Sequence, residues 1–157
     1  MPKDEQISGA PIPMKIGETT YRARTLSDKD FDELNAWVRF KFLQEALDTI
    51  SMLAVNESRR AALEKNAILG SSSVTFNSSE GSRIINNTVE GIAKVGWQMI
   101  IHYHPGLKFE EFLKEVEESL AANTREIDRV FIELNISDEE ENKSEAEGDS
   151  DKEPKSN

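Results

Sequence analysis

Apolar residues recur at helical spacing along most of this 157-residue chain, and this periodicity constrains the fold more than any other feature. A repeat of three and four residues places apolar side chains on one face of an α-helix, where they can pack on a core. Stretches with this repeat occupy residues 31–53, 84–103, 109–120 and 127–134. The sequence therefore predicts a mainly α fold, and its length suits one domain.

The first helix is predicted to begin after Ser27, whose hydroxyl can cap it ahead of an acidic first turn. It should run to about residue 55, and Asn56 is a candidate cap for a second helix that ends at a left-handed Gly70. One long, bent helix over residues 28–69 fits the same pattern, and the sequence does not decide between the two.

A Ser- and Gly-rich loop is predicted over residues 70–82, with a fragment of strand as an option at 74–76. From Arg83 to Tyr103 apolar residues cover about half of the helix circumference, which predicts the central helix of the domain. Pro105 should end it, because the residue before a proline disfavours helical geometry.

Two shorter helices complete the predicted domain. The first carries apolar residues from Phe109 to Leu120, and it is preceded by Lys108, a poor capping residue. The second is predicted to begin at Asn123, which resembles a capping box with Glu126 three residues later.

The two ends of the chain differ from this helical domain, which spans residues 14–136. Residues 1–13 contain three prolines and predict a flexible N-terminal arm. Short alternating runs at 14–16 and 21–24 flank a Gly-containing turn and predict a β-hairpin. Residues 137–157 carry nine acidic side chains against three lysines and almost no apolar residues, which predicts a disordered acidic tail.

The charge balance excludes several classes of partner. The net charge is −11, and no basic stripe is present that could displace counterions from nucleic acid or attract an anionic membrane. No apolar run is long enough to span a membrane, no signal peptide is recognisable, and a cytoplasmic location is the default expectation. Cysteine is absent, which removes thiolate catalysis and disulfides.

The polar residues do not form a recognisable catalytic or cofactor-binding pattern. His102 and His104 would point to different sides of a helix, so ordinary residues at a helix end are expected rather than a metal site. The acidic pairs Glu110-Glu111 and Glu117-Glu118 fit the solvated face of an amphipathic helix better than acid–base catalysis. The sequence therefore predicts a protein that is not an enzyme and needs no cofactor.

Aromatic and aliphatic side chains outside the main apolar stripes are the candidate partner-binding residues. Trp37 and Phe40 lie among charged residues of the first helix, and Trp97 and Ile101 lie beside the stripe of the central helix. These four residues could form a second packing face inside the domain. Alternatively they bind a partner protein, since tryptophan is frequent at binding hot spots.

Three segments resemble parts of the tail assembly chaperones of tailed bacteriophages. Tyr21-Arg22-Ala23-Arg24-Thr25-Leu26-Ser27-Asp28-Lys29-Asp30-Phe31 is similar to the opening of that family, and residues 97–116 are similar to a later segment with His104-Pro105, Leu107 and Glu110-Glu111. Residues 123–134 also resemble the terminal helix of the family. Lys108 departs from the family, which often has Thr or Ser there.

The resemblance implies a small, acidic, helical protein in the host cytoplasm that binds the long, coiled-coil tape measure protein and helps recruit the major tail protein. It also implies absence from the finished virion, and many members have a longer frameshifted form. A structural virion or neck component and an unrelated acidic helical adaptor remain the alternatives. Association with further copies of the chain stays open.

Overall fold

The computed structural model describes the backbone of residues 10–148 and the side chains of residues 10–136. A two-stranded antiparallel hairpin precedes six helices, so the predicted mainly α fold with an N-terminal β-hairpin is confirmed. The elements are β1 (Ile12–Ile16), β2 (Thr19–Ala23), α1 (Asp28–Ser51), α2 (Glu57–Ser71), α3 (Ser79–Asn87), α4 (Val89–Ile100), α5 (Phe109–Glu118) and α6 (Leu120–Gly148).

The β-hairpin packs one of its faces on the helices. Met14 pairs with Tyr21, and both are buried together with Ile16. Gly17 has a φ of 59°, a conformation that glycine adopts without steric cost and that a tight two-residue hairpin turn requires. The predicted arm over residues 1–13 was placed too far along the chain, because residues 12 and 13 belong to β1; residues 1–9 lie outside the described part.

Residues 28–69 form two helices rather than one. The Ser27 hydroxyl and the Asp30 carboxylate bond each other's backbone N–H groups, which closes the capping box at the start of α1. The side chain of Asn56 accepts from the N–H of Arg59 and caps α2 as predicted. The predicted left-handed end at Gly70 is wrong, since α2 continues to Ser71 and Gly70 has no positive φ.

The predicted single helix over residues 83–103 is also wrong, because Thr88 divides it into α3 and α4. Thr88 is extended, with φ −122° and ψ 145°, and its hydroxyl accepts from the N–H of Gly91 at 3.0 Å. A Cβ on Gly91 would lie 2.1 Å from the carbonyl oxygen of Ile84, so this tight junction requires glycine. The Thr88 side chain can bond the backbone of the next turn, which favours a new helix start over continuation of the helix that the apolar repeat predicts.

The segment before α3 is a turn, and the strand considered at residues 74–76 does not form. The N–H of Phe76 donates to the side-chain oxygen of Asn35, and the Arg39 guanidinium donates to the carbonyl of Val74. Two polar side chains of α1 thereby hold this segment against the domain while Val74 enters the core.

Of the last two helices, α5 begins where the sequence predicts and α6 begins earlier. Helix α5 begins after Lys108, which forms no side-chain capping bond within the described structure, as expected from its chemistry. Helix α6 begins at Leu120, so Asn123 lies inside it and is not a cap. The helix continues to Gly148, and residues 149–157 lie outside the described part of the chain; the predicted disorder of residues 137–157 stays a prediction.

The core surrounds α4, which packs against α3, α5, α6, α1 and β2. This position confirms that the widest apolar stripe belongs to the central element. Gly96 lets α4 approach α6 closely, since a Cβ there would lie 2.9 Å from the Ile127 side chain. The largest fully buried side chains include Phe112, Met14, Leu34, Ile84, Met99, Ile100 and Ile127.

Candidate protein-binding surface

The two histidines serve the fold in different ways. Nε2 of His104 accepts a hydrogen bond from the N–H of Arg22 at 3.1 Å, and its ring meets that of Tyr21 edge-on. His102 is exposed and contacts the ring of Tyr103. Among the side chains that the structure describes, no three His, Asp or Glu residues converge as metal ligands would.

A buried polar network joins α1 to α4. The side-chain nitrogen of Gln98 donates to Asp30 at 3.1 Å and to Glu33 at 2.6 Å, and Arg24 pairs with Asp30. Gln98 is 1% exposed, and these bonds satisfy its side-chain nitrogen, while within the described structure its side-chain oxygen and Nε of Arg24 have no hydrogen-bond partner. The carboxylates of Asp30 and Glu33 thereby join α1 to Gln98 of α4. The acidic pairs at 110–111 and 117–118 are exposed, as expected of a solvated face.

Both tryptophans pack against one ring, Phe109. The ring centroid of Trp37 lies 6.4 Å and that of Trp97 6.0 Å from the centroid of Phe109, in both cases edge-on. The indole N–H of Trp97 donates to the carbonyl of Leu107 at 3.0 Å, which fixes its ring. Three helices contribute to this aromatic cluster, and both tryptophans are half-buried. It is a second packing face of the domain.

Lys94 places its ammonium group inside this aromatic cluster. The nitrogen lies 4.4 Å from the ring centroid of Trp97 and 4.7 Å from that of Phe109, within the range of cation–π attraction. Burial lowers the pKa of Lys94, while the negative charges of Glu33 and Glu110 act in the opposite direction. The ammonium group of Lys94 therefore occupies the position beside Trp97 and Phe109 that a bound cation would otherwise take.

A cleft of about 400 Å³ lies beside Trp37, between α1 and the α3–α4 junction. Lys41 pairs with Glu90 across it, and Arg83 pairs with Glu45 at its edge. Half of the residues that line the cleft are charged, and the charged neighbours of Trp37 on α1, Lys41, Glu45 and Asp48, are among them.

The remaining two predicted partner-binding residues, Ile101 and Phe40, differ in exposure. Ile101 is half-buried at the end of α4, where its N–H closes the last turn. Phe40 is 61% exposed on α1. The structure therefore brings Trp37 and Trp97 together through Phe109 and leaves Phe40 as the predicted residue that is mostly free to contact a partner.

An αα-hairpin, residues 40–71, carries the largest concentration of exposed apolar side chains. It consists of the second half of α1, the connection 52–56 and α2. Within the described residues α2 contributes no buried side chain, and its main packing partner is α1. Five of the eight large apolar side chains that are exposed between residues 10 and 136 lie on this hairpin: Phe40, Met52, Leu53, Ile68 and Leu69.

The connection between the two helices is fixed by Arg60. Its guanidinium donates to the carbonyl of Leu53 at 3.1 Å and more weakly to those of Ile50 and Ser51, at the end of α1. These bonds add a side-chain donor to carbonyls at the end of the helix, where intrahelical partners run out. The αα-hairpin is thus held in shape while Ile68 and Leu69, 55% and 63% exposed, face away from the core.

Sequence reasoning identified no partner-binding residue on α2. The available signal was the adjacent pair Ile68-Leu69, which lies outside the face formed by Arg60, Leu63 and Ala67 at helical spacing. A smaller exposed apolar surface occurs on α6 at Ile132 and Ile136.

Of the helices described between residues 10 and 148, none is long and apolar enough to cross a membrane. Comparison with known proteins finds no matching family model, no matching curated protein and no matching solved structure.

Proposed function

We propose that this protein is a non-catalytic factor that binds a helical protein client on its αα-hairpin. The observation that carries the proposal is the exposure of Phe40, Ile68 and Leu69 on a helix pair whose second helix buries no side chain among the described residues. Apolar surface concentrated in one place on a small protein marks an interaction site.

The geometry of α1 supports a client that is itself helical. Phe40, Leu43 and Leu47 follow one another at i, i+3 and i+7, and they are exposed or half-buried. Two packed helices form a shallow apolar groove in which a third, amphipathic helix can lay its apolar face. The client would thereby bury side chains that the domain leaves uncovered.

The resemblance to tail assembly chaperones supplies the identity of the client within this proposal. A tape measure protein is long and rich in coiled coil, so it presents amphipathic helices of the kind that the αα-hairpin would bind. The major tail protein is the second partner that the resemblance implies, and the host cytoplasm is the implied location. No nucleic acid, membrane or cofactor is part of the proposed function.

The acidic remainder of the chain has a physical role in this proposal. The net charge is −11 over the whole sequence, and none of that excess lies on the αα-hairpin. Like charge on copies bound along a client would oppose their collapse onto one another. An apolar binding surface and a repulsive body together suit a protein that keeps an elongated client from aggregating.

The direct test is co-expression with a tape-measure-like protein, followed by capture at low and high salt. Apolar binding should survive about 0.5 M salt, where attraction between exposed charges is screened. Phe40→Ala and Leu69→Ala should each weaken capture by about 1–2 kcal/mol, as removal of a hot-spot side chain does. Ile132→Ala, an equally exposed isoleucine on α6 rather than on the αα-hairpin, is the matched control.

Three outcomes distinguish the alternatives. Loss of capture at high salt, with the apolar variants unaffected, would indicate an ionic contact and reject the αα-hairpin as the client site. Capture of neither tail protein would favour the adaptor alternative. Presence of the protein in purified particles, detected by mass spectrometry, would favour a structural virion or neck component.

A further inference from the structure

The αα-hairpin differs from the rest of the chain in its charge. Residues 40–71 carry four basic and four acidic side chains and are neutral at pH 7, so the whole net charge of −11 lies outside them. Two copies of this protein repel one another at most of their surface, and the αα-hairpin is the place where that repulsion is weakest. Its charged residues are Lys41, Glu45, Asp48, Glu57, Arg59, Arg60, Glu64 and Lys65.

The same segment needs a further apolar partner more than any other part of the described structure. Helix α2 has 15 residues, a length at which an isolated helix is marginal in water, and it packs mainly on α1. Phe40, Ile68 and Leu69 remain exposed on the pair. Covering them would add the tertiary packing that most helices depend on.

We infer that the αα-hairpin of one copy packs against the αα-hairpin of a second copy, so that two helix pairs form a four-helix bundle. A two-fold axis relates such copies, and each surface must then be complementary to itself. A surface with both charges in similar number meets this condition. Lys41 and Glu45 already pair within the chain, with Glu90 and Arg83. The basic Arg59 and Lys65 and the acidic Asp48, Glu57 and Glu64 remain for contact with the other copy. Antiparallel helix pairs with short connections are the usual components of such bundles.

The pairing is expected to be reversible and concentration-dependent. Helix α2 is about 22 Å long at 1.5 Å per residue, so the shared surface falls near the low end of stable protein interfaces. Salt should strengthen the pairing, because it screens the repulsion between the acidic remainders of the two copies while apolar contact persists.

Pairing also implies a form of regulation, which rests on the proposed function. A second copy and a client helix would occupy the same surface, so each would exclude the other. The paired state would keep the αα-hairpin covered until a client is made.

The test is sedimentation velocity of the purified full chain, without client, over a range of concentrations at low and high salt. The expected mass rises from 17.7 kDa towards twice that value with concentration, and it rises at lower concentration in high salt. Ile68→Glu and Leu69→Glu should hold the protein at the mass of one chain. Ile132→Glu changes an isoleucine of the same exposure on α6 and should leave the pairing unchanged.

A second measurement covers the case in which a glutamate variant fails to fold. The chain contains no cysteine, so Leu69→Cys and Ile132→Cys each provide one position for a nitroxide label. A defined inter-copy distance between labels at residue 69, shorter than that between labels at residue 132, supports the pairing.

A single-chain mass at every concentration and salt would overturn the inference. Dissociation by Ile132→Glu with no effect of Ile68→Glu would also overturn it, by placing the interface on α6. Because no client is present in either measurement, failure here leaves the capture result intact, and failure of capture leaves the pairing result intact.

Discussion

The side-chain oxygen of Asn123 accepts a hydrogen bond from the backbone N–H of Gly17 at 3.2 Å, joining α6 to the turn of the β-hairpin across 106 positions of sequence. The side-chain nitrogen of Asn123 donates to the carbonyls of Glu115 and Val116 at 3.0 and 3.2 Å, near the end of α5. The buried amide of Asn123 therefore joins α6 both to the turn of the β-hairpin and to the end of α5.

Asn123→Ala is expected to destabilise the protein by about 2–4 kcal/mol, because the Asn123 side chain is buried and its loss leaves the N–H of Gly17 and the carbonyls of Glu115 and Val116 without this partner. Urea denaturation measures the change. Asn135→Ala is the control, since Asn135 is exposed on the same helix and its replacement should change stability by less than about 0.5 kcal/mol. Equal effects of the two substitutions would contradict the structural role of Asn123.

Trp37→Ala and Trp97→Ala should both destabilise the protein, by about 2–3 and 3–4 kcal/mol respectively. From sequence alone, the position of Trp37 among charged residues predicts a loss of stability under about 1 kcal/mol. Its edge-on contact with Phe109 raises the expected loss. Trp97 additionally loses its bond to the Leu107 carbonyl. Chemical denaturation of the single variants, and of each combined with Phe109→Ala, tests whether the costs are coupled through that ring.

Tyr21→Phe should change how stability depends on alkaline pH. Burial and the hydrogen bonds of the Tyr21 hydroxyl to Glu115, at 2.7 and 2.8 Å, raise the pKa of this phenol above its usual value of 10.0. The folded state then keeps its proton while the unfolded state ionises. This stabilisation is fully present below pH 10 and is lost as pH rises through the raised folded pKa.

The parent should therefore lose about 1.4 kcal/mol more per pH unit than Tyr21→Phe above pH 10, while Tyr21→Phe is the less stable of the two at pH 8 by about 1.5–3 kcal/mol. Urea denaturation of both proteins at several pH values measures the difference. Lys94 is present in both proteins, so its contribution to the pH dependence cancels when the two are compared. If the stability of the two proteins fell in parallel above pH 10, the pKa of the Tyr21 phenol would not be raised in the folded state.

Truncation after Ile136 should leave the melting temperature unchanged or slightly higher, through reduced self-repulsion. Residues 137–148 continue α6 but contain no large apolar residue, so packing cannot reinforce that part of the helix. Amide hydrogen exchange should show little protection over residues 137–157. Protected amides there, or a lower melting temperature of the truncated protein, would contradict the predicted disorder of the tail.

Local chemistry written in the sequence was sufficient for several features of the fold. Ser27 and Asn56 cap helices because a short polar side chain can satisfy the backbone within three residues, whatever lies further away. The alternation on both sides of Gly17 specified the β-hairpin, and the repeat of apolar residues specified the helical class. These signals act over a few residues, so they can be read without the fold.

Tertiary structure decided the features that depend on distant residues. The break at Thr88 is local, since Ile84 and Gly91 lie within four positions of it, but an apolar stripe that continues on both sides masks it in the sequence. Asn123 occupies the interior of α6 because its amide finds partners in the β-hairpin and in α5.

For the candidate partner-binding residues, too, the sequence determined one part and the tertiary structure another. The sequence showed that Trp37, Phe40, Trp97 and Ile101 lie outside the main stripes, but a helical wheel does not show what packs on the other side. Phe109, from a helix more than ten positions beyond Trp97, brings both tryptophans into one cluster. Phe40 stays exposed because α2 packs on α1 without covering it. Which apolar residues remain free for a partner depends on how the helices are arranged in space.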